Sequence, residues 1–235
     1  MTVKEIMAEL QSLGEENIKK IFLNHGMKEP LFGVKVQHLK TIQKKIKKDY
    51  QLAKDLYATG NADAMYLAGL IADDEKMTKA DLQAWVKQAT SQSICENTVA
   101  WVATGSKFGY ELAMEWIDSG KESIAAAGWS TLGGLVSVKP DTELDLTALK
   151  SLLDRVARTI HAADNRVRYT MNGFVICVGA YVMPLEKDAL AVARKIGAVT
   201  VDMKKTACKV PNAVDYIMKI KERGAPVKKK KTVKC

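Results

Sequence analysis

Apolar residues recur along most of this chain at intervals of three and four positions, the spacing of one face of an α-helix. Ile6, Leu10 and Leu13 show the pattern near the start, where Thr2 and Glu5 form a capping box that begins a helix. Similar segments follow, separated by Gly, Pro and capping residues, to about residue 222. Residues 198–202 are the best strand candidate and are too few to found a sheet. The sequence therefore predicts an all-α protein.

The predicted helices come in pairs at a regular spacing. The pairs begin near residues 34, 62, 92, 121 and 164, which is a period of roughly 30 residues stretched once to about 43. A helical hairpin of this length cannot bury its apolar face without the next hairpin. We therefore expect an α-solenoid of stacked hairpins with a curved inner surface, formed by a single repeat domain over residues 1–223.

The segment from Asp164 to Met183 predicts a buried helix with one polar seam. Asp164 is a suitable N-cap, since its carboxylate can accept hydrogen bonds from amides of the first turn. The helix is too apolar for a surface helix, yet Asn165, Arg168 and Asn172 share one face at i, i+3 and i+7. Buried polar groups need partners. The seam either bonds to neighbouring helix ends and loops or lines a groove that contacts a ligand with acceptor oxygens.

Length and composition describe a soluble globular protein of 235 residues, with 47% hydrophobic residues and 27% charged residues. The longest apolar run, Phe174–Leu185, is too short to span a bilayer, and the first residues do not predict a secretory signal. We expect a cytoplasmic protein that needs no cofactor and no metal. Its cysteines lie far apart without a CxxC motif and predict reduced thiols: Cys95, Cys177, Cys208 and Cys235.

The net charge of +9 is concentrated in two segments. Residues 219–235 carry +7, and residues 35–48 contain six lysines and no acid, so the rest of the chain is slightly acidic. Residues 224–235 combine a helix breaker with clustered like charge and no periodicity, which predicts a disordered basic tail. The basic character is therefore local, in one helix and one tail.

The lysine-rich helix is the first candidate site. Helices usually carry opposite charges four residues apart, and this one has none. Its lysines either face water or bind a phosphate backbone, where each neutralised phosphate releases counterions. Arginines of the central helix would add cations that grip phosphate bidentately. The predicted DNA-binding residues are Lys40, Lys44, Lys45, Lys47, Lys48, Arg166, Arg168, Asn165, Asn172, Trp101 and Trp129.

Two of the four tryptophans and one glutamate are further candidates. Trp85 and Trp116 occupy core-like positions of predicted helices. Trp101 and Trp129 either pack likewise or, if exposed on the inner wall, stack on a base or on a cationic purine. Glu96 begins the helix that carries Trp101, and it either caps that helix or stabilises positive charge on a sugar during glycosidic cleavage.

Two stretches of the sequence resemble the AlkD-like DNA alkylation repair proteins. They are residues 32–40, FGVKVQHLK, and residues 167–174, VRYTMNGF, and the resemblance runs in order over roughly residues 15–222. It implies a stack of HEAT-like repeats that holds DNA on a concave basic surface. It also implies, for the glycosylase members of the family, removal of positively charged alkylated purines without a metal.

The chain departs from the active members of that family at the positions that carry the chemistry. Where they have Trp-Trp-Asp-Ser-Val-Asp, this chain has Ile-Cys-Glu-Asn-Thr-Val at residues 94–99. The alignment replaces the catalytic aspartate by Val99 and the lesion-contacting tryptophan by Cys95. It also puts Ala126 near the position of an arginine and Phe174 near that of a second tryptophan. A proline usual in the opening motif is Gln37.

These features together predict a monomeric DNA-binding relative of the repair enzymes. It would hold duplex DNA, damaged or branched, with glycosylase chemistry lost or altered. A first alternative is an active glycosylase that releases N3- or N7-alkylated purines, with Glu96 as the electrostatic stabiliser. A second alternative is an α-solenoid scaffold whose polar central seam binds a peptide.

Overall fold

The structure, a computed structural model, describes residues 1–222, 224 and 227–234. Its described part contains thirteen α-helices, a few short 3-10 turns, one π-helix and no β-strand. This confirms the all-α prediction. The described residues form two compact units, which we take in turn. The undescribed residues include Arg223 and Cys235, so the predicted boundary at residue 223 and the thiol of Cys235 lie outside this description.

Unit 1 comprises Met1–Phe108, Met203–Ala207 and Lys234. A π-helix, Ile94–Val99, leads directly into its last helix, and its core is formed around α5, whose residues are nearly all buried. The helices α3, α4 and the π-helix pack against α5. In chain order the helices of unit 1 are α1 (Val3–Ser12), α2 (Glu16–Asn24), α3 (Val36–Ile46), α4 (Tyr50–Ala58), α5 (Ala62–Ile71), α6 (Lys79–Gln88) and α7 (Ala100–Gly105).

Unit 2 comprises the described residues of Gly109–Asp202 and Cys208–Val233. The helix predicted to be central, α11, packs against α9, α10, α12 and α13. Gly128 of α9 allows close packing on α8, because a Cβ there would lie 2.7 Å from the backbone nitrogen of Ile117. The helices of unit 2 are α8 (Gly109–Trp116), α9 (Glu122–Val138), α10 (Leu146–Thr159), α11 (Asn165–Tyr181), α12 (Glu186–Ile196) and α13 (Ala213–Lys221).

Several local predictions are confirmed and others need correction. Thr2 and Glu5 form the predicted capping box at the start of α1. Asp164 does precede α11, but its side chain makes no capping hydrogen bond, so that part of the prediction is wrong. Residues 198–202 form no strand. The helix expected over residues 94–104 begins as a π-helix, in which hydrogen bonds join residues five apart and shift the helical phase.

The basic segment after Gly224 differs from the predicted disordered tail in its described residues, 227–234. They have no helix, but two lysines pair with acidic residues that are distant in sequence. Lys229 Nζ lies 2.7 Å from Asp141 Oδ1 within unit 2, and Lys234 Nζ lies 2.7 Å from Asp74 Oδ1 within unit 1. Burial lowers the pKa of Lys234 and raises the pKa of Asp74. Composition revealed the charge of the segment but not these partners.

Candidate nucleic-acid interface

The lysines of α3 fall into two groups according to their partners. Lys45 Nζ lies 3.0 Å from Glu9 Oε1, and Lys48 Nζ lies 3.5 Å from an oxygen of Asp73, so acids from neighbouring elements neutralise both. Three others, Lys40, Lys44 and Lys47, have no ion pair among the described residues. Their positive charge therefore remains available to an external anion.

Lys47 ends α3 in a conformation that L-residues rarely adopt. Its φ is 67° and its ψ is −118°, and its backbone N–H donates to the carbonyl of Gln43 over 2.7 Å. A side chain at positive φ costs roughly 1 to 3 kcal/mol and persists where the surroundings impose it. A lysine at a position that favours glycine therefore presents its charge at a cost in stability.

The opening motif has a structural explanation. The Asp63 carboxylate is buried and accepts hydrogen bonds from the backbone N–H groups of Phe32, Gly33 and Val34, over 2.6, 3.1 and 2.9 Å. Gly33 has a φ of 80°, and a Cβ there would lie 2.5 Å from the backbone nitrogen of Lys19. Only glycine fits at this point. The motif thus fixes the loop that leads into α3.

The π-helix occupies the hexapeptide that aligns with the catalytic stretch of the family. Cys95 and Val99 are fully buried, and Glu96 is only 7% exposed. Asn97 is the exposed residue of the six, and its amide bonds to Ser93. Helices of this kind often occur at functional sites, because the extra residue changes which side chains face outward. In this chain the residues that align with the family's lesion-contacting and catalytic side chains, Cys95 and Val99, do not reach the surface.

The four tryptophans, all of them described, divide into three core residues and one partly exposed residue. Trp85 stacks on Tyr57, and both Trp85 and Trp116 are buried, as the sequence predicted. Trp129 is also fully buried and packs against Phe174 at 5.3 Å between ring centroids. Its indole cannot stack on a base from that position, so its predicted contact with DNA is wrong in this conformation.

Trp101 is the partly exposed tryptophan. Its ring meets Tyr66 edge-on at a centroid distance of 5.2 Å. Tyr66, beside this partly exposed ring, is a candidate site residue that the sequence did not predict. It is the only aromatic residue in α5 and the only residue of that helix that is not buried. An aromatic hydroxyl in a mostly apolar helix was the available signal.

The polar seam of α11 bonds mainly to the protein itself. The Asn165 amide donates to the carbonyl of Asp202 over 3.0 Å and accepts from its N–H over 2.7 Å. Asn172 is 1% exposed and donates to the carbonyl of Pro211 over 2.9 Å. Both asparagines therefore follow the first alternative for the seam, which is hydrogen bonding to neighbouring segments of the protein. Their predicted contacts with DNA do not fit these bonds.

The two arginines of α11 are partly exposed. Arg168 lies between the asparagines on the seam, and its buried Nε has no hydrogen-bond partner among the described residues. The Arg166 guanidinium lies over the ring of Tyr169 at 4.4 Å, and its backbone N–H donates to Glu122 over 2.7 Å. Asn172 Oδ1 is likewise buried without a hydrogen-bond partner among the described residues, so of the seam residues Arg168 is the one with an unpaired donor.

Comparison with known proteins decides the family. The model of a family described as DNA alkylation repair enzyme matches residues 6–217 of the chain. The chain belongs to the DNA alkylation repair family. Two uncharacterized family relatives, from Listeria innocua and Listeria monocytogenes, are each 33% identical over 229 residues, which is 95% of this chain and 99% of theirs.

A solved structure adds the fold and a lead on function. It is described as a new family of proteins related to the HEAT-like repeat DNA glycosylases with affinity for branched DNA structures. It is 36% identical to this chain, each chain covers 100% of the other, and the TM-score is 0.92. This confirms the stacked helical hairpins predicted from the spacing of the helices and the HEAT-like repeats implied by the family resemblance.

Two features are absent from the described residues. No described helix is both long and apolar enough to cross a membrane. Within the same residues, no three or more His, Cys, Asp or Glu side chains come together as they would around a metal ion.

Proposed function

We propose that this member of the family binds branched DNA through phosphate contacts and does not release alkylated bases. The observation that carries the proposal is that Lys40, Lys44 and Lys47 on and at the end of α3 have no ion pair within the described part of the chain, whereas acids neutralise Lys45 and Lys48 beside them. One of them, Lys47, is held at positive φ, a strained conformation that often occurs at functional sites. Arg168 of unit 2, which is partly exposed, would contribute a further phosphate contact.

The loss of glycosylase chemistry is supported by burial. Val99 and Cys95, which stand where the active members have catalytic and lesion-contacting residues, are fully buried. A carboxylate must approach the sugar to stabilise its positive charge. Glu96 is nearly buried within the π-helix, so it is a poor substitute.

The preference for branched over linear DNA is supported by the structural relative described as having affinity for branched DNA, which matches this chain over its full length. The scaffold alternative has less support, because two of the three polar groups that would bind a peptide bond to backbone atoms of unit 2.

The test compares a four-way junction, a three-way junction and a linear duplex of equal length across a salt series. We expect tighter binding of the branched substrates and a steep fall in affinity with salt. Equal binding of all three would contradict the branch preference, and a flat salt response would contradict phosphate binding.

Base release is measured on the same protein with methylated duplex, by following 7-methylguanine and 3-methyladenine. We expect none above the rate without protein. Release above that rate would restore the glycosylase alternative. Glu96→Gln would then show whether Glu96 supplies the chemistry, since that variant should abolish release.

A further inference from the structure

Unit 1 contains a cavity of about 310 Å³ beneath α2 that no part of the predicted interface uses. Side chains from α2, α3 and α5 line it, among them Ile21, Phe22, Val36, Leu39 and Tyr66. The helix above it is unusual, because no residue of α2 is buried and Ile21 is 48% exposed. An apolar space of this size beside an exposed apolar side chain is typical of a site that receives a ligand.

The chemistry of the walls restricts the ligand. Most of the lining is aliphatic or aromatic, with polar groups from His25, Tyr66 and Ser93. Asp63 also lines the cavity, but its carboxylate already accepts three backbone hydrogen bonds. A flat, uncharged molecule with polar edges suits this lining, and a cation finds no uncommitted carboxylate there. A nucleobase has such faces and edges.

The charges of α3 indicate how a base would reach the cavity. Val36 lines the cavity at the start of α3, and Lys40 and Lys44 follow four and eight residues later on one side of the helix. At 1.5 Å per residue they lie about 6 and 12 Å farther along the helix axis. Neither lysine has an ion pair among the described residues. A DNA strand held by these lysines would therefore pass the cavity.

We propose that the cavity beneath α2 receives one unpaired, unstacked nucleobase of a DNA strand whose phosphates lie along Lys40 and Lys44. This inference rests on the proposed function and deepens it, since branched DNA has strained or open base pairs where branches meet, and extruding a base costs least where it is already unpaired. The cavity would then be a recognition site for the open base at a branch.

The test combines removal of the base with closure of the cavity. A duplex with one unpaired adenosine is compared with the same duplex that has an abasic site there, which keeps the phosphates. Ile21→Trp fills the cavity mouth. Leu23→Trp is the matched control, because Leu23 lies on the same helix, is 37% exposed and does not line the cavity. Thermal unfolding of both variants checks their folding.

We expect removal of the base to lower the affinity of the natural protein and of Leu23→Trp about tenfold, the usual effect of one base contact with aromatic and apolar side chains. Ile21→Trp should bind both substrates equally, at the weaker level. If loss of the base has the same effect in Ile21→Trp as in the natural protein, the base does not enter the cavity and the inference fails.

A competition experiment distinguishes a base within a DNA strand from the base of a free nucleotide. Deoxyadenosine monophosphate should compete with the unpaired-base duplex only at concentrations far above those of the strand itself. Competition at equal nucleotide concentration would assign the cavity to free nucleotides and overturn the inference. If junction binding persists while the abasic substitution has no effect, only this inference fails. If the natural protein does not bind branched DNA at all, the proposed function itself is contradicted.

Discussion

Asn165 and Asp202 exchange two hydrogen bonds that tie the first turn of α11 to the segment that follows α12. We expect Asn165→Ala to lower the free energy of unfolding by about 1 to 2 kcal/mol, because both backbone groups of Asp202 lose their partner. DNA affinity should stay unchanged. Chemical denaturation and a binding titration measure the two effects separately. Weaker DNA binding at unchanged stability would return Asn165 to the interface.

Arg168, one turn further along α11, should behave in the opposite way. Arg168→Gln removes a guanidinium whose Nε has no hydrogen-bond partner among the residues that the structure describes, so we expect no loss of stability. Affinity for a four-way junction should fall roughly tenfold, the value of one charge-assisted hydrogen bond. Asn165→Ala serves as the control on the same face. Unfolding of Arg168→Gln at a lower denaturant concentration would instead make Arg168 a structural residue.

The unpaired lysines of α3 should account for much of the salt dependence. Lys40→Gln, Lys44→Gln and Lys47→Gln in one protein should reduce the slope of log affinity against log salt by about 2 to 3, since each phosphate contact contributes ~0.9. The matched control combines Lys45→Gln and Lys48→Gln, which break the pairs with Glu9 and Asp73. That control should change the slope less per lysine. Equal slopes in all three proteins would remove α3 from the interface.

Lys47 allows stability and binding to be separated at one position. Lys47→Gly should raise the free energy of unfolding by about 1 kcal/mol, because glycine adopts a φ of 67° without strain. The same variant should bind DNA more weakly, since it lacks the charge. Lys47→Ala is the control, which loses the charge and keeps the strain. A Lys47→Gly protein no more stable than Lys47→Ala would show that the backbone carries no strain there.

Asp81 makes stability depend on pH in the acid range. Burial alone would raise its pKa, but hydrogen bonds from Lys54, Thr78 and Tyr50 lower the pKa well below its ordinary value. Because the folded protein favours the ionised form, the stabilisation is complete above the unfolded-state pKa, about 4, and is lost as the pH falls toward the folded-state pKa. Asp81→Asn should therefore be clearly destabilising at pH 7 and much less so at acid pH.

The measurement is denaturant unfolding of the natural protein and of Asp81→Asn between pH 7 and acid pH. Asp55→Asn on α4 is the control and should have little effect at any pH, because Asp55 is exposed and the Asn oxygen can still accept the hydrogen bond that Gln51 donates. A destabilisation by Asp81→Asn that is the same at every pH would show that the charge of Asp81 does not contribute.

The sequence by itself determined the helical architecture, because the periodicity of apolar residues and the capping residues are local properties of the chain. It also located the basic helix, and the motifs at residues 32–40 and 167–174 were sufficient to indicate the family. The Phe32–Val34 motif could be recognised in the sequence, although its reason, the buried Asp63 carboxylate, lies thirty residues away.

Only the tertiary structure decided which polar groups are available to a ligand. Lys44 and Lys45 are adjacent in sequence, yet Lys45 pairs with Glu9 of another helix, whereas Lys44 has no ion pair in the described part of the chain. Trp101 and Trp129 have similar surroundings in sequence, yet packing leaves one partly exposed and buries the other. The π-helix and the cavity beneath α2 were equally hidden. Availability depends on which side chains distant segments bring together, and a local pattern does not contain that information.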